Sequence, residues 1–246
     1  LKEDGCFIYD GDEPLLAERA KAVDVEQRTF GMKNENDVFA SDVAGTDTET
    51  SFKTNLDPEV EVKLPIIGEY NVKNALAAIT VGDRYHVGVA DSARALADFN
   101  LTKNRTEWLK GRQGERILSD VYNSNPTAAK AVLNSFAHTK KTGRRFVVLG
   151  DMLELGENAD QMHAQLADSL NPAQFEEVFL VGQHMRALGK RLVDEEIYPA
   201  EAVHLYDANE LPQLTTDLQQ MIKADDCVLL KASHGIHLEK VVEQLK

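Results

Sequence analysis

The second half of the chain alternates short apolar runs with stretches of helical spacing. Residues 117–121, 146–149, 178–181, 203–206 and 227–231 are compact runs dominated by Val, Leu, Ile and Phe, as buried strands are. Each is followed by a helical pattern: Pro126 to about Ala137, then 158–169, 184–194, 210–223 and 237–245. Strands that alternate with helices in this way predict a mostly parallel, doubly wound α/β sheet with helices on both faces. Asn125 followed by Pro126 gives one boundary directly, because Asn caps a helix and Pro suits its first turn.

The first hundred residues follow another pattern. A strand is predicted at 6–9 and a helix from Pro14 to Ala22. Residues 26–64 have no helical period. They alternate in short bursts such as Thr50-Ser-Phe-Lys-Thr and Val60-Glu-Val-Lys-Leu, broken by Gly31, Gly45 and the 55–58 turn. This predicts a small antiparallel β region. Residues 71–85 read as a helix whose Val72, Ala75, Leu76, Ile79 and Val81 form an apolar surface, and 91–99 as a second helix capped by Asp91 or Ser92. The polar stretch at 100–104 marks a boundary, giving domains at 1–103 and 104–246.

Composition narrows the function classes. The 246 residues are 43% hydrophobic and 28% charged, the balance of a globular protein. No apolar run is long enough to span a bilayer, so no membrane insertion is expected, and the first residues lack a signal-peptide pattern. The net charge of −14 argues against a nucleic-acid partner but not against a phosphate ligand, which backbone N–H groups and a few cations can hold. Cys6 and Cys227 sit in apolar runs and read as buried reduced thiols. The chain starts at Leu1 and reaches a strand almost at once, as a piece of a longer protein would.

Chemistry concentrates where strands end. Asp120-Val-Tyr122-Asn123-Ser-Asn125-Pro126 follows the first strand of the second domain, Gly150-Asp151-Met-Leu-Glu154-Leu-Gly-Glu157 the second, and Lys231-Ala-Ser233-His-Gly235 the last. In an open α/β sheet all three loops share one edge, where ligands bind. The first of them fits a ribose or anion site and fits an ordinary Asn- and Pro-rich turn equally well. His163 could bond back to the 150–157 loop, although such a histidine more often caps or solvates a helix face. Asn71 and Asn74 lie one turn apart and could meet a purine edge, but on the residues alone an N-cap plus a solvated Asn accounts for them better. His184, His204 and His237 lack ligand spacing, so no metal site is expected. No Gly-x-Gly-x-x-Gly follows a strand, which removes the main support for a dinucleotide site.

Together these segments resemble the Mur ligase family of ATP-dependent amide ligases. Gly68-Glu-Tyr70-Asn71-Val-Lys-Asn74-Ala-Leu-Ala-Ala78 resembles its Gly-x-His-Asn-x-x-Asn-x-x-Ala-Ala run, with Tyr70 for His. Arg105-Thr-Glu107 resembles Gly-Arg-x-Glu with Asn104 for Gly, and 120–126 resembles Asp-x-Tyr-Asn-Ala-x-Pro. The 231–235 segment, with Leu238-Glu239-Lys-Val-Val242, resembles Lys-Gly-Ser-Arg and Met-Glu-x-Val-Val; Ala232 and His234 depart from it. The 150–157 run followed by His163 is the most selective, and implies the branch whose substrates are UDP-N-acetylmuramoyl-tripeptide and D-alanyl-D-alanine.

The resemblance implies a Rossmann-like C-terminal ligase domain preceded by the second half of a central ATPase domain. It implies ATP contacts at Asn71, Asn74, Arg105 and Asp120. It also implies an acceptor cleft lined by Tyr122, Asn123, Asn125, Asp151, Glu154, Lys231 and Ser233. ATP and Mg2+ would serve the whole enzyme, a bacterial cytoplasmic one. No Gly-x-x-x-x-Gly-Lys-Ser/Thr loop occurs in these residues. The expectation is therefore a ligase fragment that is inactive alone and binds neither ATP nor Mg2+ tightly. A related ligase with another acceptor, or a non-catalytic nucleotide-binding module, fits the same residues.

Overall fold

A computed structural model describes residues 2, 4–98, 105–140 and 142–246. The chain divides into two compact units, Leu1–Asn100 and Leu101–Lys246. The expected 103/104 boundary and Phe99, the expected end of the second helix, fall outside the described residues.

The first unit runs β1 (Cys6–Asp10), α1 (Pro14–Ala20), β2 (Glu26–Gly31), β3 (Val38–Gly45), β4 (Thr50–Thr54), β5 (Asp57–Leu64), α2 (Tyr70–Arg84) and α3 (Val89–Ala97). The strands form a five-stranded sheet in sequence order. The expected antiparallel region is confined to β3, β4 and β5, whereas β2 pairs in parallel with β1 and with the start of β3. The reason is α1, which carries the chain back between β1 and β2 so that both run the same way.

Helix α2 buries Val72, Ala75, Leu76 and Ile79 in the core with Val38, Phe52 and Val62. Val81, expected on that buried face, is exposed. Thr80 takes the inward position instead, because its hydroxyl donates to the Leu76 carbonyl at 2.7 Å and needs no water. Helix α3 begins at Val89 behind Gly88, not at Asp91, whose carboxylate lies in the first turn beside the positive end of the helix. Both cysteines are thiols, not half-cystines; Cys227 is buried as expected, but Cys6 is only half-buried because β1 is an edge strand.

The second unit runs β6 (Glu107–Lys110), β7 (Arg116–Asp120), α4 (Pro126–Ala137), β8 (Arg145–Gly150), α5 (Ala159–Ala164), β9 (Glu177–Val181), α6 (Met185–Asp194), β10 (Val203–Tyr206), α7 (Leu211–Met221), β11 (Cys227–Lys231) and α8 (Glu239–Leu245). Its six-stranded sheet has the order β10-β9-β8-β11-β7-β6. All neighbours are parallel except β6, an unexpected antiparallel edge strand. The helix expected at 158–169 is a short α-helix between two 3-10 turns. His237, expected to open the last helix, sits before it in the left-handed region at φ 62°.

Both faces of this sheet are covered, as the near-continuous apolar strands require. Ile117, Phe146, Val148, Phe179, Val181, Val228 and Leu230 point to one side, where they pack with α7 and α8. Their alternating neighbours point to the other: Leu180 lies against Gly189 of α6. The chain steps from β7 past β11 to β8, moves outward to β10, and returns to β11. So β11, which leads to α8 on the first face, lies between β7 and β8, which lead to α4 and α5 on the other. Adjacent strands whose loops leave to opposite faces open a crevice beyond their C-terminal ends.

Candidate functional site

The two units carry separate groups of the candidate residues. In the first, Gly68 takes φ 102°, a conformation costly for other residues, and turns the chain into α2. Asn71 is buried; its amide donates to the Ile67 carbonyl at 2.8 Å, and its own oxygen accepts from the Asn74 amide at 3.3 Å. Asn74 is exposed. Neither caps the helix, since Glu69 holds that position. Asn71 is therefore a fixed support that orients Asn74 toward solvent.

The neighbouring Lys73 ties α2 to the end of β1, with its ammonium 2.8 Å from Asp10 and 3.5 Å from Asp12. Burial opposes the ionisation of Asp12. Donors from Met32, Asn36 and Lys33, together with Lys73, outweigh it and hold the carboxyl below the usual range. Burial likewise opposes the Lys73 charge, and Asp10 and Asp12 overcome it, raising that ammonium above its ordinary value. This cluster was not singled out from the sequence. The spacing Asp10-Gly-Asp12 at a strand end was its one local signal.

In the second unit the loops after β7, β8 and β11 meet at the crevice. Register places Lys231 beside Asp120, and its ammonium lies 2.7 Å from that carboxylate and 2.7 Å from the Asn123 carbonyl. The other Asp120 oxygen accepts from Thr106 N–H at 3.2 Å, holding the residue next to Arg105. Ser233 N–H donates to the Asp151 carbonyl at 3.2 Å, and Leu153 N–H donates to the Ser233 hydroxyl at 3.0 Å. These bonds knit the β8 and β11 loops into one rim.

Two of the three acids of the 150–157 run, Asp151 and Glu154, part company. Asp151 is buried and accepts from Met185 N–H at 2.8 Å and His184 N–H at 3.3 Å, so its carboxylate seats the N-terminus of α6. Gly182 makes room for it, since a Cβ there would strike that carboxylate. Glu154 is exposed, with φ 65°. The other candidates divide in the same way. Arg105, Tyr122, Asn123 and Asn125 are exposed, with the Arg105 guanidinium 4.3 Å from the Tyr122 ring centroid and the Asn125 side chain capping α4. Lys231 and Ser233 are buried beneath them.

His163 is fully buried under this rim, and its Nε2 accepts from Met152 N–H at 2.8 Å. The commoner reading of such a histidine, a cap or a solvated helix face, does not hold here: the side chain is fully buried and bonds back to the loop. The exposed side chains can offer a cation, amides, a carboxylate and a ring face to a polar ligand. Among the described residues no group of three or more His, Cys, Asp or Glu side chains is arranged to hold a metal ion.

Comparison with known proteins fits this architecture. Residues 1–82 match the Mur ligase middle domain, and 104–234 match the Mur ligase glutamate ligase domain. The UDP-N-acetylmuramoyl-tripeptide–D-alanyl-D-alanine ligase of Bacillus subtilis (strain 168) is 33% identical over 245 residues, covering 100% of this chain and 52% of its own length. The solved structure of MurF from Acinetobacter baumannii superposes with a TM-score of 0.83 at 24% identity, over 100% of this chain and 52% of that one. The MurF ligase of Thermotoga maritima, solved in complex with ADP, gives 0.78 at 22% identity, over 99% and 53%. These two likenesses are of fold. The chain spans about half the length of the curated relatives it matches. With the C-terminal domain match alone covering more than half of its residues, the chain belongs to the Mur ligase family.

Proposed function

We propose that these residues form the second half of an ATP-dependent amide ligase of the bacterial cytoplasm. Its reaction joins D-alanyl-D-alanine to UDP-N-acetylmuramoyl-tripeptide. The observation that carries the reading is the rim at the crevice. There the Gly150–Glu157 run is stitched to the β11 loop through Leu153 N–H and the Ser233 hydroxyl. The 33% identical Bacillus subtilis relative, which aligns with the whole chain, is consistent with it.

In this reading the terminal carboxylate of the tripeptide takes the γ-phosphoryl group of ATP. The free amine of the dipeptide then attacks the acyl phosphate, and phosphate leaves as the amide forms. Such chemistry rests on positioning and on neutralising charge. Asn74, oriented by Asn71, would meet the adenine edge. Arg105 would offer its guanidinium to the ribose and phosphate region, with Asp120 holding the adjacent backbone through Thr106. Tyr122, Asn123, Asn125 and Glu154 would line the acceptor cleft, supported from below by Asp151, Lys231 and Ser233. Mg2+ would be supplied with ATP in the whole enzyme.

Arg105→Ala tests the phosphate-side role, because its exposed side chain can be removed without leaving a buried group unpaired. In the polypeptide translated from the complete reading frame, it is expected to lower kcat/KM for ATP about 100-fold, the scale of losing one charge-stabilising donor. Unchanged ATP kinetics would contradict the assignment.

A further inference from the structure

We propose that His163 is a positioning residue that latches the 152–154 loop in its ligand-facing shape, and that it does so only as the neutral imidazole. The claim rests on the ligase reading for what the loop faces. The latch itself rests on geometry alone.

Both ring nitrogens of His163 have partners that fix the proton. Nδ1 is 2.7 Å from the Ala159 carbonyl, which can only accept, so Nδ1 carries the hydrogen. Nε2 is 2.8 Å from Met152 N–H, which can only donate, so Nε2 is bare. A second proton would set an N–H against an N–H and release Met152. The next residue is held too, by the Ser233 hydroxyl on Leu153 N–H, and the Leu153 side chain lies over Gly235. Directly after these two anchors comes Glu154 at φ 65°. A non-glycine residue persists there only when its surroundings over-determine it. The anchors on Met152 and Leu153 supply that constraint, and Glu154 is the exposed acid they present.

The charges around His163 come from three directions. Asp151, in the β8 loop, lies 3.9 Å from Nε2. His184, ahead of α6, stacks on the ring at 5.4 Å, and Asp160 of α5 lies 2.6 Å from His184 Nδ1. Burial disfavours the charged imidazole most. His184 acts in the same sense, whereas Ala159, Asp151 and Asp160 favour it, and the net position is below the ordinary histidine value. With a depressed folded-state pKa, the latch is intact above the usual histidine range and is lost as pH falls through the folded-state value.

The test compares wild type with His163→Gln, whose amide oxygen can still accept from Met152 without titrating, and with His163→Leu, which cannot accept. In the ligase from the complete reading frame, the wild-type KM for D-alanyl-D-alanine is expected to rise about tenfold as pH falls through the folded-state value of His163, which lies below the ordinary histidine value of about 6.5. The Gln variant should flatten that rise. The Leu variant should show the raised acceptor KM already at neutral pH, with the KM for ATP changed less than about twofold. An acid rise that survives in His163→Gln, or an unchanged acceptor KM in His163→Leu, would overturn the proposal. Amide-exchange protection of Met152 and Leu153 in the 246-residue chain needs no substrate. Protection kept in His163→Leu would overturn the latch. Protection lost in Leu and kept in Gln, in a wild type without dipeptide-dependent turnover, would sustain the latch and overturn the ligase reading instead.

Discussion

Asp120→Ala is expected to lower the unfolding free energy by about 3 to 5 kcal/mol, the cost of leaving a buried charge without its partner. The Lys231 side chain is 1% exposed, and its ammonium has Asp120 at 2.7 Å and the Asn123 carbonyl at 2.7 Å. Removing the carboxylate leaves one neutral acceptor for a full charge that water cannot reach. The substitution also frees Thr106 N–H, whose residue has a left-handed φ of 49°, so the β7 end should loosen as well. Lys231→Met should cost less, because the Asp120 side chain is 14% exposed and can recruit water. Combining Lys231→Met with Asp120→Leu should restore most of the loss, since apolar groups of similar size often replace a buried pair without penalty. The chain has a single tryptophan, Trp108 on β6, hydrogen-bonded to β7 along the sheet. Its fluorescence in a urea titration reports this unit. A loss under about 1 kcal/mol for Asp120→Ala would mean that the pair is solvated and not structural.

Phe136→Ala is expected to cost about 3 to 5 kcal/mol through loss of buried area and the cavity it leaves. Phe136 is fully buried on α4. Its ring stacks on Phe175 at 6.0 Å and 3° and meets Trp108 at 6.2 Å. The guanidinium of the buried Arg145 also lies over it, 5.9 Å from the ring centroid. Truncation therefore removes apolar packing and the π-face beside a buried cation at once. Phe136→Leu keeps most of the volume and should cost less than about 1.5 kcal/mol. Equal losses for the Ala and Leu variants at an unchanged urea slope would show that ring geometry matters here, not cavity volume. Because α4 carries Asn125 at its cap, the Ala variant should also disturb the rim.

The fold was legible where the signals were local. Asn125-Pro126 marked the start of α4, and the apolar runs marked five strands of the second unit. What escaped depended on partners distant in sequence. β6 is only four residues, Glu-Trp-Leu-Lys, with polar ends, and becomes a strand by pairing with β7. β2 looked antiparallel because direction is set by the β1 pairing and the α1 crossover, which alternation does not encode. The same limit governs the candidate site. Parallel strands must end on one edge, so the meeting of the three loops was readable. Which side chains face outward was not. Asp151 and Glu154 lie three residues apart in one loop, yet one seats α6 and the other meets solvent. The partnership of Lys231 with Asp120 follows from the β11–β7 register, a contact more than a hundred residues long in sequence.

The most direct test is the substrate dependence of ADP formation by the polypeptide from the complete reading frame. ADP release is expected to require ATP, UDP-N-acetylmuramoyl-tripeptide and D-alanyl-D-alanine together, to match amide formation one to one, and to fall about 100-fold in Arg105→Ala. ADP release that proceeds equally without the dipeptide, or that Arg105→Ala leaves unchanged, would contradict the assignment of this rim to the ligation site.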